Sequence, residues 1–172
     1  MRSATARLSR VIVTPEVSKY RLFTWVQTKT KVIIDHKLYA FATDDDYIFG
    51  ILHSHAHEVW SLAKGPRHGV GNDPVYNGSE CFETLPFPWA PGSELIDDPR
   101  VQAIAAAAKE LVEMRERWLA AENLSEVERK KRTLTNLYNA HPTWLDLAHK
   151  RLDAAVFLCL RLATCSDRRA NP

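Results

Sequence analysis

Three histidines alternate in "LHSHAHEVWS": His53, His55 and His57, with Glu58 directly behind them. Imidazoles and carboxylates are the donors of zinc sites and of general acid–base pairs. On a helix His53 and His57 share one face while His55 points away, so at most two could bind one ion. "HEVWS" also lacks the second histidine that a HExxH zinc helix requires. The expectation is hydrogen-bonded packing histidines and no metal. "GVGNDPVY" (Gly69 to Tyr76) is glycine-rich, but it has neither the third glycine of a dinucleotide fingerprint nor the lysine of a P-loop. "NDPVY" differs from the Asn-Pro-Pro-Tyr turn whose carboxamide and carbonyl hold a flipped adenine, because the stiffening proline pair is absent. Ser54 and Ser61 have no nucleophile elbow, and Asp44, Asp45 and Asp46 read as a capping cluster. No catalytic residue is expected on this chain.

What the stretch does hold is positive charge around a polar loop. Lys64, Arg67 and His68 stand where a helix ends and glycines let the backbone approach a ligand closely. Lys29 and Lys31 flank another turn. Arginine reads guanine edges, asparagine reads adenine and lysine neutralises phosphate. A solvated loop has the same composition, so residue types alone leave both readings open.

The elements that must position this loop come in two kinds. The chain has 172 residues, room for one ordinary domain or two small ones. Hydrophobic residues at 45% against 26% charged are those of a folded, soluble protein. A formal charge of +2 means that any nucleic-acid surface must come from local clustering. No apolar run approaches the roughly 20 residues of a membrane helix, and "MRSATARLSR" has no apolar segment behind it, so neither membrane nor secretory signal is expected. Cys81, Cys159 and Cys165 lack metal-type spacing and suit a reducing, cytoplasmic setting.

Up to about Gly92 the chain reads as mixed strand and helix. Tyr20 to Val26, Lys31 to Asp35 and Lys37 to Ala42 are strand candidates, and Tyr47 to Ala63 is read as one helix despite Gly50. "CFETLPFPWAPG" (Cys81 to Gly92) carries three prolines, which forbid a central strand or helix, and marks a domain boundary. Beyond it the pattern is helical. Asp97 or Asp98 caps the first helix, with Pro99 in its first turn and an apolar face of Val101, Ile104, Ala105, Ala108, Leu111, Val112 and Leu119. "SEVE" (Ser125 to Glu128) is a capping box opening a second helix toward Tyr138. "TWLD" (Thr143 to Asp146) opens a third, with Leu145, Ala148, Leu152, Ala155, Val156 and Cys159 on one side. The expected class is α+β: a partial recognition domain over 1–92, then a short helical bundle over 93–172.

"FGILHSHAHEVW" (Phe49 to Trp60), Tyr76 with "CFETLPFPW" (Cys81 to Trp89), and "RTLTNLYNAHPTWLDLAHKRLDAAV" (Arg132 to Val156) together resemble the C-terminal part of MmeI-like, type IIG-related DNA methyltransferases. The resemblance covers roughly Arg10 to Val156. It implies a parent enzyme that methylates adenine N6 from S-adenosylmethionine in restriction-modification. Its catalytic domain precedes a target recognition domain and a helical C-terminal domain. This chain would hold the later recognition domain and the helices, with no cofactor of its own and double-stranded DNA as its partner. By position the resemblance nominates Arg67, His68, Asn72 and Asp73 as base-reading residues and Lys64 as a phosphate contact. The catalytic and cofactor motifs of such enzymes lie upstream and do not occur here, so the chain is expected to address a methyltransferase without itself transferring the methyl group.

After "LDAAV" such proteins usually continue Phe-Ala-Ala-Tyr-Gly-Trp-Pro, whereas this chain reads "FLCLRLATCSDRRANP". Cys159 to Thr164 can be encoded so that a one-base shift restores Ala-Tyr-Gly-Trp-Pro. The expectation is a frameshift near Leu158, in a gene piece lacking its 5′ portion, with a last helix that frays. Two other readings stay open: a separately encoded specificity subunit docking on a methyltransferase catalytic chain, and a non-functional gene remnant.

Overall fold

A computed structural model describes residues 7–29, 37–68, 73–122 and 124–167. The observed class is α+β, as the sequence patterns require. Strand β1 (Arg10–Pro15) is the centre of a three-stranded antiparallel sheet, flanked by β2 (Thr24–Gln27) and β3 (Leu38–Phe41). Its register sets Ile12 opposite Trp25 on one side and Phe41 on the other. Val11, Ile12, Val13 and Thr14 are all buried, so both faces of this strand are covered. That is why alternation does not reveal it in the sequence.

The strand expected over Tyr20 to Val26 begins only at Thr24. The preceding backbone is occupied by side chains instead of a ladder. Thr14 Oγ1 donates to Leu22 O at 2.9 Å, Phe23 N–H donates to His53 Nδ1 at 3.2 Å, and Arg115 Nη2 donates to Phe23 O at 3.0 Å. Leu38–Phe41 forms as expected. The candidate over Lys31 to Asp35 lies outside the described residues.

The helix expected from Tyr47 to Ala63 is two helices, α1 (Asp46–His53) and α2 (His55–Lys64), separated at Ser54. Ser54 has extended backbone, with φ −75° and ψ 155°, and its Oγ accepts from His57 N–H at 3.3 Å to cap α2. Asp153 Oδ1 accepts from His55 N–H at 2.8 Å and satisfies another free donor of that first turn. Asp45, one of the expected capping aspartates, caps α1 by accepting from Tyr47 N–H at 2.7 Å.

Two residues form β4 (Arg67–His68), paired antiparallel with β5 (Asp73–Pro74). A π-helical turn, Gly78–Phe82, starts the aromatic segment, whose Phe82, Phe87 and Trp89 pack on the core. Helix α3 (Pro99–Leu119) is capped by Asp98 with Pro99 in its first turn, as expected. The expected second helix is again two pieces. α4 (Glu126–Lys131) carries both halves of the capping box, and α5 (Leu134–Ala140) starts afresh from Thr133, whose Oγ1 accepts from Asn136 N–H at 3.2 Å. Helix α6 (Thr143–Asp167) has a continuous helical backbone past Leu158, with Cys159 fully buried.

One buried cluster runs from Ile12 and Phe23 through α1 to α3, α5 and α6, crossing the change of character near Gly92. Each fully buried Leu or Ile in it contributes about 1.5–3 kcal/mol. Every residue of α1 is buried, because the sheet lies on one side (Trp25 stacks on Phe49 at 4.9 Å) and α3 on the other. Gly50 is what lets α1 and α3 approach. A Cβ there would sit 2.6 Å from Ile104 Cγ2 and 3.3 Å from Ala108 Cβ.

Gly50→Ala therefore gains about 1 kcal/mol of helix propensity and loses about 1–3 kcal/mol to overpacking. The expected net result is a lower urea midpoint. A midpoint equal to or above that of the unsubstituted chain would contradict the close α1–α3 contact.

Candidate nucleic-acid interface

The polar loop singled out in the sequence is held as a hairpin. Arg67 pairs with Pro74 and His68 with Asp73, which brings these nominated positions together through their backbones. Arg67 is exposed. Lys64, in the last turn of α2, is also exposed and places Nζ 5.1 Å from the centre of the Trp60 ring. Asn72 and Lys31 lie outside the described residues. Lys29 is exposed but stands apart. It follows β2 at the end of the sheet where Arg10 pairs with Gln27, whereas the hairpin joins the other end of β1 through Val17 and Val75. Seven residues of strand rise put roughly 20 Å between those ends.

Below the hairpin the support is dry and specific. Tyr76 is 1% exposed and its hydroxyl lies 3.2 Å from His57 Nε2. His57 Nδ1 lies 2.7 Å from Leu52 O, and a carbonyl only accepts, so the proton sits on Nδ1 and Tyr76 donates to Nε2. Tyr76 is thus a buried strut, closed off from any base. Burial raises its hydroxyl pKa, and burial holds the His57 ring down at about 4. Gly65 is the second position where only hydrogen fits, since a Cβ would meet Val75 O at 2.5 Å and Ser61 O at 2.7 Å. Arg21 completes the base: Nη2 donates to Pro74 O at 3.3 Å, Nη1 donates to Pro15 O, and the guanidinium lies 4.9 Å from the Tyr76 ring centre.

A second polar cluster escaped the sequence analysis. Arg115 interrupts the charged pattern expected off the apolar face of α3; it lies on the buried face, one turn beyond Leu111, and is 3% exposed. Nη2 donates to Phe23 O, while Nη1 is 3.0 Å from His53 Nε2. Tyr138 Oη lies 3.1 Å from the same Nε2 and 2.8 Å from His149 Nε2. His53 Nδ1 accepts from Phe23 N–H, so the single proton of the neutral ring sits on Nε2, toward the Tyr138 hydroxyl, and the Arg115 cation 3.0 Å from Nε2 leaves no place for an imidazolium. Burial first, and then the Arg115 charge, lower the His53 pKa well below its usual value and hold His149 at about 4. The trace of this in the sequence is positional: Arg115 stands four residues after Leu111, on the same helix face as the apolar stripe, but its charge set it apart from that face.

His53 and His57 are the buried packing histidines expected of that face, and His55 is exposed, with Nδ1 3.2 Å from Glu58 Oε2. Among the described residues no group of three His, Cys, Asp or Glu is arranged to hold a metal ion. No described helix is long and apolar enough to cross a membrane.

Most of the chain is similar to part of a restriction-modification enzyme. The solved structure is that of MmeI, a type IIL enzyme, in complex with DNA. It matches with a TM-score of 0.62 and 25% sequence identity over 87% of this chain. The chain spans 18% of the length of that enzyme. No family model matches the chain, and no curated protein matches its sequence.

The buried histidines His53 and His57, with half-buried His149, make acid stability predictable. Their folded pKa values lie below the ~6.5 of a free imidazole, so the unfolded chain takes up protons first. Stability is complete above about pH 6.5 and drains away as pH falls toward 4; His57 alone accounts for on the order of 3 kcal/mol by then. The melting temperature should fall steeply over that interval. A flat profile from pH 7 to 4 would contradict the buried neutral rings.

Proposed function

We propose that this chain is a DNA sequence-recognition portion of a restriction-modification protein. The observation that carries this reading is the similarity, over 87% of the chain, to an enzyme solved with DNA bound. The hairpin supports it. A solvent-facing Arg67 stands on a base fixed by Tyr76, His57 and Arg21, and recognition side chains belong on loops held by rigid scaffolds. Arg67, with His68, Asn72 and Asp73, reads base edges, and Lys64 contacts phosphate; Lys29 and Lys31 meet the backbone elsewhere on the duplex. In the parent enzyme S-adenosylmethionine supplies the methyl group for adenine N6. No described residue of this chain is assigned to hold that cofactor, and recognition without methyl transfer is the role assigned to it.

A second reading makes the chain a separate subunit that docks on a methyltransferase chain. Exposed apolar side chains favour it: Leu95 and Ile96 before α3, and Leu147, Phe157 and Leu158 on α6. A soluble catalytic chain co-purifying with this one, and no self-sufficient activity, is its expected signature.

Duplex binding by the isolated chain should weaken steeply between about 50 and 200 mM salt, as phosphate contacts require. Arg67→Ala should flatten sequence preference by about 1–3 kcal/mol, the value of a bidentate base contact. A folded sample without affinity for duplex DNA at low salt would sink the reading. Methyl transfer by the purified chain alone would sink the assignment of address without chemistry.

A further inference from the structure

Helix α4 is ordered but buries nothing. All six side chains from Glu126 to Lys131 are exposed. An isolated helix of this length does not hold in water. This one is fixed at both ends by polar contacts. At its start Ser125 Oγ accepts from Glu128 N–H at 3.3 Å, and Glu128 Oε2 accepts from Ser125 N–H at 2.9 Å. At its end Asn136 Nδ2 donates to Lys131 O at 2.7 Å. Arg132 Nη1 donates to Trp118 O at 2.5 Å, with its guanidinium 4.6 Å from the Trp118 ring centre. What such anchoring fixes is the position of the polar side chains themselves.

Those side chains are sorted by charge. Glu126 and Glu128 occupy the first turn, where Glu128 serves the cap. Arg129, Lys130 and Lys131 occupy the last, followed by Arg132. Glu126 reaches Lys130 at 3.0 Å, but that pair is 82% and 76% exposed and solvent-screened. Exposed Arg117, next in sequence to Trp118, borders a groove of about 260 Å³ lined also by Met114, Trp118 and Trp144.

This basic end is linked to the hairpin through α5 and the segment after β1. Val17 bridges Val75, and Arg21 donates to Pro74 O. Between them, Lys19 Nζ and Tyr20 Oη both donate to Asn139 Oδ1 of α5 at 2.9 Å. Asn136 of the same helix holds the end of α4. From Asn139 back to Leu134 is about 8 Å of helical rise along α5, and Asn136 on that helix meets Lys131 O directly; both spans are short beside one ~34 Å turn of duplex.

We propose that the last turn of α4, through Arg129, Lys130 and Lys131, is a second contact to the phosphate backbone of duplex DNA, distinct from the hairpin that reads bases. It rests on the DNA-recognition reading above. Phosphate contacts fix register and carry no sequence information, so the two surfaces separate in a single experiment. Lys130→Ala with Lys131→Ala and, separately, Arg67→Ala are compared with the unsubstituted chain by fluorescence anisotropy. The probes are duplexes selected from a random pool and unselected controls, across a salt series. Alanine is a good helix former and both lysines are exposed, so the far-UV spectrum and melt should be unchanged. The double variant should lose roughly tenfold or more in affinity at ~0.1 M salt for selected and unselected duplexes alike, with the log–log salt slope shallower by about 0.9 per lost contact. Its preference for the selected duplexes should persist, whereas Arg67→Ala should lose preference. Unchanged affinity and slope in the double variant, alongside lost preference in Arg67→Ala, overturn the second contact and leave the hairpin reading standing. No duplex binding by the unsubstituted chain overturns both.

Discussion

Arg115 reaches from α3 across the end of α1 to the backbone just before β2, and the rest of the molecule is arranged around that reach. Its guanidinium is buried and, among the described residues, faces only neutral groups: Phe23 O, the His53 ring and the Tyr138 hydroxyl beyond it. A buried charge is costly unless its donors are met, and one of them, Nε–H, has no partner among the described residues. The remaining contacts must therefore be kept. Keeping them ties the segment before the sheet to α1 through Phe23 and His53, to α5 through Tyr138 and to α6 through His149. The same constraint keeps both rings neutral, because burial and the nearby Arg115 charge both oppose a second cation.

The hairpin inherits its position from this junction. His53 ends α1, Ser54 breaks the helix, and one turn later His57 meets Tyr76 below the hairpin. The break at Ser54 re-aims the chain so that α2 delivers Gly65 against Val75. The outcome is a dry base with fixed partners, from which the Arg67 side chain is exposed to solvent. Binding surfaces that must vary in sequence without disturbing a fold have this form.

Several parts of this were legible in the sequence. Asp98 before Pro99, the Ser125–Glu128 box and the Leu145–Cys159 stripe rest on local rules, and each formed where those rules put it. The facing of the three histidines was also legible, since a period of 3.6 separates His55 from its neighbours even across the break. β1 was missed because burial on both faces erases alternation. Tyr20 to Phe23 was overextended as strand because nothing local shows that His53 and Arg115 claim the Phe23 backbone. Of the nominated loop, sequence supplied the residue types, while the pairing of Arg67–His68 with Asp73–Pro74 and the distance to Lys29 had to be seen.

The sequence by itself determined the starts of α3, α4 and α6, the apolar stripes of α3 and α6, and the concentration of polar groups between α2 and Tyr76, because capping and periodicity act within a few residues. Only the tertiary structure decided that Arg115 is interior, that Tyr76 is a strut and that α4 stands free with its charges outward. Each of these depends on partners 19 to 92 residues away or on the lack of any packing neighbour. Burial and desolvation are properties of what surrounds a side chain, and the surroundings exist only once the chain has closed on itself.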